Sequence, residues 1–184
     1  INYQFRGKDI QQKQFMYNNS KSYDYYEDTN IQLMELPMYD NILNMGIILP
    51  KNESNYKSGN CFSELNLKVF DFYISNLKPT NIDEILIPKF SQQSKLRVSS
   101  ILKKTGLEHL FSSLEIPEIT NNITMLSDVI QNIYIVVDEK HIKSEEIYNR
   151  GIKSNIKFIA NRPFIYYFRC INTNTVIITG QFNN

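Results

Sequence analysis

Eighteen residues, Lys140 to Lys157, separate two segments that read as strands; they are mostly polar and carry the pair Arg150-Gly151. The segment before them, Ile133 to Val137, runs into Val137-Asp138-Glu139. The segment after them is Phe158-Ile-Ala-Asn-Arg-Pro-Phe164, continuing to Cys170. A long connection without a core pattern, inside an otherwise well-patterned chain, is functional or disordered. The chemistry it offers is that of a substrate: a polar peptide with a basic side chain, the kind of bait a protease cuts.

Groups that could themselves catalyse are few. There are two histidines. His109 follows a short helical pattern beside Leu110-Phe111 and reads as a helix-terminal residue. His141 lies in the tether, with no Cys or His at ligand spacing, and no metal cluster or Gly-rich phosphate loop is present. Asp138 and Glu139 are neighbours at a strand end, so their side chains point to opposite faces and do not share one substrate. These features predict no enzyme, no cofactor and no metal site. Arg162, between Asn161 and Pro163, reads as a structural cation at a strand entry. Tyr23, Tyr25 and Tyr26 read as a half-buried sheet face rather than a platform for bases.

Composition narrows the classes further. A net charge of +1 with scattered basic residues sets up no strong field toward nucleic acid or an anionic membrane. The apolar runs, such as Ile47-Ile-Leu49, are too short to span a bilayer. A hydrophobic share of 42% over 184 residues suffices for one domain with a core. Cys61 and Cys170 make no disulfide framework, and Cys170 reads as a small buried hydrophobe. Sequons at Asn18, Asn52 and Asn122 carry little weight in so Asn-rich a chain. The chain has no initiator Met and no apolar leader, so Ile1 is not expected to be the natural start.

The elements that must hold the tether are mostly strands. Ile1 to Gly7 alternates like a strand end, and Lys8 to Asn19 holds an edge strand. Ser22 to Tyr26, Ile31 to Leu36 and Asn44 to Leu49 read as an antiparallel meander, with turn residues between them. From Phe62 to Asn76 the period changes: Phe62, Leu65, Val69, Phe72 and Tyr73 share a helical face, with Ser63 or Asn60 as cap and Pro79 as stop. Asn81 to Phe90 alternates again. Val98, Ile101 and Leu102 predict a short helix ending at Thr105-Gly106. Ser127 to Val137 is β-rich. The last strands are Phe164 to Cys170 and Thr175 to Phe182, with a turn at Asn172-Thr-Asn174. Short strands with two helices give an α+β class in one domain, residues 1–184.

At these residues the chain resembles the C-terminal half of a serpin. Phe158-Ile-Ala-Asn-Arg-Pro-Phe164 is similar to the family's F-x-A-x-R-P-F. Ile1 to Gly7, Ile31 to Pro37, Gly46 to Pro50, Ile87 to Ser91, Leu102 to Ser112 and Ile135 to Lys140 match in the family's order. The resemblance implies a reduced serpin-like fold, mainly antiparallel sheets with a few helices and a shortened reactive-centre loop. It further implies a trap, in which a protease cuts the loop, is held as an acyl-enzyme, and is dragged as the loop inserts into a sheet. Counting back from Phe158 places the scissile bond at or next to Arg150-Gly151, which suits a trypsin-like pocket. The richness in Asn, Ile, Lys and Tyr hints at a large DNA virus, so the implied partner is a host protease or another host protein. The compartment stays open between secreted and host cytoplasm.

Several departures bear on that mechanism. The N-terminal half of a serpin has no counterpart in these residues, and only Ile1 to Gly7 matches the strand beside which the loop would insert. From Glu139 to Arg150 is 11 steps, where the family has about 16, so at roughly 3.3 Å per residue the lever spans about 36 Å instead of about 53 Å. The hinge, Glu139-Lys140-His141-Ile142-Lys143-Ser144, lacks the family's Gly and small residues, and burying Lys143, Glu145 or Glu146 in a sheet interior carries a desolvation cost. Gln131 or a neighbour stands where the family often has His, and a strand reads as deleted between Asn19 and Ser22. The expectation is a serpin-family protein without suicide inhibition, acting as a binder of host proteins or a decoy. The alternative is an active inhibitor of a trypsin-like protease cut at Arg150. An unpaired sheet edge would favour self-association.

Overall fold

The computed structural model describes residues 1–38, 42–51, 66–113, 115, 122–140, 142 and 154–183. The chain divides into two units: Ile1–Lys89 with Asp138–Asn184, and Phe90–Val137. The first is built on an eight-stranded sheet. Its strands are β1 (Asn2–Arg6), β2 (Ile10–Glu27), β3 (Ile31–Pro37), β4 (Leu43–Pro50), β5 (Lys78–Pro88), β8 (Lys157–Ile159), β9 (Phe164–Cys170) and β10 (Thr175–Phe182). The order is β10-β9-β4-β3-β2-β5-β8, with β1 added to β2. Every pairing is antiparallel except β5 with β8.

The expected meander is present as β2, β3 and β4, with Asp24↔Glu35 and Glu35↔Gly46 in register. The segments Lys8 to Asn19 and Ser22 to Tyr26, expected as separate strands, are joined in β2, one strand of 18 residues. This strand is not an edge. It pairs with β1 near its start, with β5 from Phe15 to Tyr25, and with β3 from Asp24 to Glu27. The polar residues that suggested a break are tolerated because β5 pairs with them along this stretch and only alternate side chains need burial. Phe15, Tyr23 and Tyr25 supply that buried set. In β4, Met45, Ile47, Ile48 and Leu49 are all buried, as a strand covered on both faces requires.

Phe158 to Cys170 is not one strand. β8 ends at Ile159 and β9 starts at Phe164, and the sheet order sets them five strand spacings apart. A flat sheet would put them about 24 Å apart, whereas the five steps from Ile159 to Phe164 reach about 17 Å at most. The sheet must therefore curl until its flanks approach, and Ala160–Pro163 is the corner that joins them. Arg162 is the brace of that corner: its Nε donates to the Pro50 carbonyl at the end of β4 and its Nη1 to the Ile159 carbonyl at 3.3 Å.

Helix α1 (Leu67–Ser75) leans on one side of this sheet through Phe70, Tyr73 and Ile74, which pack against Leu33, Ile48 and Tyr167. Its cap is Asn66, whose Oδ1 accepts the Val69 N–H at 3.1 Å; the cap candidates Ser63 and Asn60 lie outside the described residues. The expected start at Phe62 lies outside the described residues. Glycine is required where rings cross the sheet. A Cβ on Gly46 would lie 2.0 Å from the Tyr167 ring, and one on Gly180 would lie 2.2 Å from that of Tyr166.

The second unit is a two-stranded antiparallel ribbon, β6 (Phe90–Arg97) with β7 (Ile130–Val137), in register from Phe90↔Val137 to Arg97↔Ile130. β6 was not legible beforehand, because its second half is polar and exposed. Between the strands lies the expected short helix α2 (Ser99–Leu102), followed by further turns in which Gly106 adopts φ 93°. Asp128 ties its base: it pairs with Arg97 at 2.7 Å and accepts from the Ser99 hydroxyl.

Candidate functional site

The tether starts and ends on the first unit, so its two stems can be built residue by residue. The proximal stem begins where β7 stops at Val137. Asp138 then turns the chain, its Oδ1 accepting the Lys140 N–H at 3.0 Å. Glu139 pairs with Lys89 at 2.5 Å. The Lys89 backbone N–H donates to the Gln14 carbonyl at 2.8 Å, so this cation is seated beside β2. Hydrogen bonding from Lys89 holds the Glu139 carboxyl below the usual carboxylate range. Ile142 then makes an isolated antiparallel bridge with Met38, just past β3. A cavity of about 250 Å³ lies here, lined by Ile142 and Glu139 with Met16, Leu36, Ile85 and Ile87. The hinge residues Glu139 and Ile142 are thus docked onto the first unit. His141, Lys143 and Ser144 lie outside the described residues, as do Arg150 and Gly151.

The distal stem is bracketed by Asp83 of β5. Its carboxylate accepts the Ser154 N–H and hydroxyl, each at 3.2 Å, and the Asn155 N–H at 2.9 Å. Its own N–H donates to the Ile156 carbonyl at 2.9 Å. Asn155 takes φ 60°, the left-handed region that Asn tolerates better than most side chains. The chain then enters β8, only three residues long, beside β5. Lys157 pairs with Glu84 at 2.7 Å, which raises the lysine pKa, and its carbonyl accepts from Gln32 Nε2 at 3.0 Å. Phe158 and Ala160 are fully buried.

Sequence reasoning found the tether and its flanks but missed Lys89, Asp83 and Met38. None carries a signal of its own: each is an ordinary residue in or beside a strand, made relevant only by what the topology sets against it. Among the described residues, no group of three or more His, Cys, Asp or Glu side chains is placed to hold a metal.

A family model described as Serpin (serine protease inhibitor) matches residues 2–184. The chain belongs to the serpin family. A serpin-like protein of Acanthamoeba polyphaga mimivirus is 33% identical over 88% of this chain and 43% of its own length. A leukocyte elastase inhibitor of Xenopus laevis is 28% identical over 99% of this chain and 51% of its own. Human serpin B11 is 27% identical over 85% and 42%. The chain spans about half the length of the curated relatives it matches. The residues that carry the resemblance, Phe158 to Phe164, run through the corner Ala160–Pro163.

Proposed function

We propose that this serpin engages a protease or another protein of a host through the tether without inserting it into a sheet, acting as a binder or decoy, with both units belonging to one serpin-like domain. The observation that carries this reading is the proximal stem. The chain leaves β7 at a turn, and Glu139 and Ile142 are held by Lys89 and Met38. Insertion would have to break both contacts and then bury one of Lys143, Glu145 or Glu146, at a cost of several kcal/mol for an unpaired charge. Arg150-Gly151 supports a second reading, an inhibitor of trypsin-like proteases, since guanidinium pairs well with a carboxylate in such a pocket.

Incubation with trypsin and with a caspase-type protease, followed by a denaturing gel and fragment masses, separates the two. The proposed role gives non-covalent binding or plain cleavage. An SDS-stable adduct whose mass is protease plus the chain lacking its C-terminal fragment overturns it and establishes the second reading.

A further inference from the structure

We propose that Asp83 is the positioning residue of the tether's distal stem, fixing the course of Ser154 to Ile156 into β8. The inference deepens the proposed function and rests on that reading for its biological use. Residues Ser154 to Ile156 belong to no strand, so the sheet ladder does not orient them. What orients them is one carboxylate that gathers three donors, two of them backbone N–H groups. The Asp83 N–H, bonded to the Ile156 carbonyl, closes the bracket from the other side. A second contact locks the elbow internally: the Ile156 N–H donates to the Ser154 hydroxyl at 3.2 Å. The base is rigid, since Ile82 and Ile85, flanking Asp83 and Glu84 in β5, are buried. Charge matters, because hydrogen bonds to an ionised acceptor are about twice as strong as neutral ones. Ordering the downstream side of a bait peptide in advance removes part of the entropy that a protease or other binder must otherwise supply on docking.

The test is hydrogen exchange of the free chain, read at the amides of Ser154, Asn155 and Ile156. Asp83→Ala is expected to speed exchange at Ser154 and Asn155 at least tenfold and to leave β4 and β9 unchanged. Asp83→Asn, which keeps one acceptor oxygen, restores part of the protection. Ser154→Ala speeds exchange at Ile156 and guards against an Asp83 variant that fails to fold. Unchanged exchange at Asn155 in Asp83→Ala overturns the proposal, as does a rise shared equally by β4 and β9. No protease is present in this experiment. A chain that engages no protease therefore counts against the proposed function and leaves the bracket to be judged on its own.

Discussion

The Tyr167 hydroxyl donates to the Glu35 carboxylate at 2.8 Å, and the ring that carries it lies over Gly46, its partner across β4 and β9. Glu35 is 1% exposed, yet it is fully engaged. Arg169 clasps both of its oxygens, and Asn44 Nδ2 donates to Oε2 at 2.8 Å. Burial, followed by the nearby Glu35 charge, pushes the Tyr167 hydroxyl pKa far up, so it remains a donor at any physiological pH. This network ties β3, β4 and β9 at the centre of the curled sheet.

Removing one partner of a buried ion pair leaves the other uncompensated, which typically costs about 3–5 kcal/mol. Glu35→Gln is therefore expected to lower the urea midpoint strongly, with the slope unchanged. Glu35→Gln with Arg169→Met recovers part of the loss, because the orphaned charge is gone.

The space under the rings gives a second expectation. Gly46→Ala forces the buried Tyr167 ring to move and should cost on the order of 1–3 kcal/mol or more, as overpacking does. Gly180→Ala, against the slightly more exposed Tyr166, should cost less. Thermal melts of the two variants rank them, and equal melting temperatures would contradict the contact geometry.

Asp24 predicts a pH dependence. Partial burial raises its pKa, Glu35 raises it further, and Arg169 opposes both. A carboxyl whose folded pKa lies above its unfolded value of about 3.9 costs nothing below that value and destabilises increasingly as pH rises through the folded pKa. Asp24→Asn should thus match the parent at low pH and exceed it in stability at neutral pH. Denaturation curves at several pH values check the sign; a parent more stable than the variant at pH 7 would refute it.

The proximal stem makes a local prediction. The Lys89–Glu139 pair is solvent-exposed, so its loss should leave the global unfolding midpoint where it is. Lys89→Ala should instead speed limited proteolysis after Lys140, several-fold relative to cleavage elsewhere. Because hydrogen bonding from Lys89 lowers the Glu139 pKa, the parent stem should loosen only when the pH falls through that depressed value.

Much of this was legible in the chain itself. The meander, the last hairpin and the helix stop at Gly106 follow from period and turn residues, which act locally. The family pattern located the tether and the Arg-Pro corner. What stayed hidden was set by distant partners. β6 has no alternation to betray it and is a strand because β7 lies beside it. The continuity of β2 depends on β5, which lies more than fifty residues later. Asp83 and Lys89 acquire their roles only when residues near 139 and 155 return to them.

The corner at Ala160–Pro163 also dictates when the molecule can mature. β4, the most completely buried strand, has β3 on one side and must wait on the other for β9, whose first residue is Phe164. Contacts of such sequence separation form slowly. Until β9 has been synthesised, Met45 to Ile48 present a bare apolar edge, a natural target for chaperones and for aggregation. Assembly of this sheet therefore waits on β9, more than a hundred residues after β4.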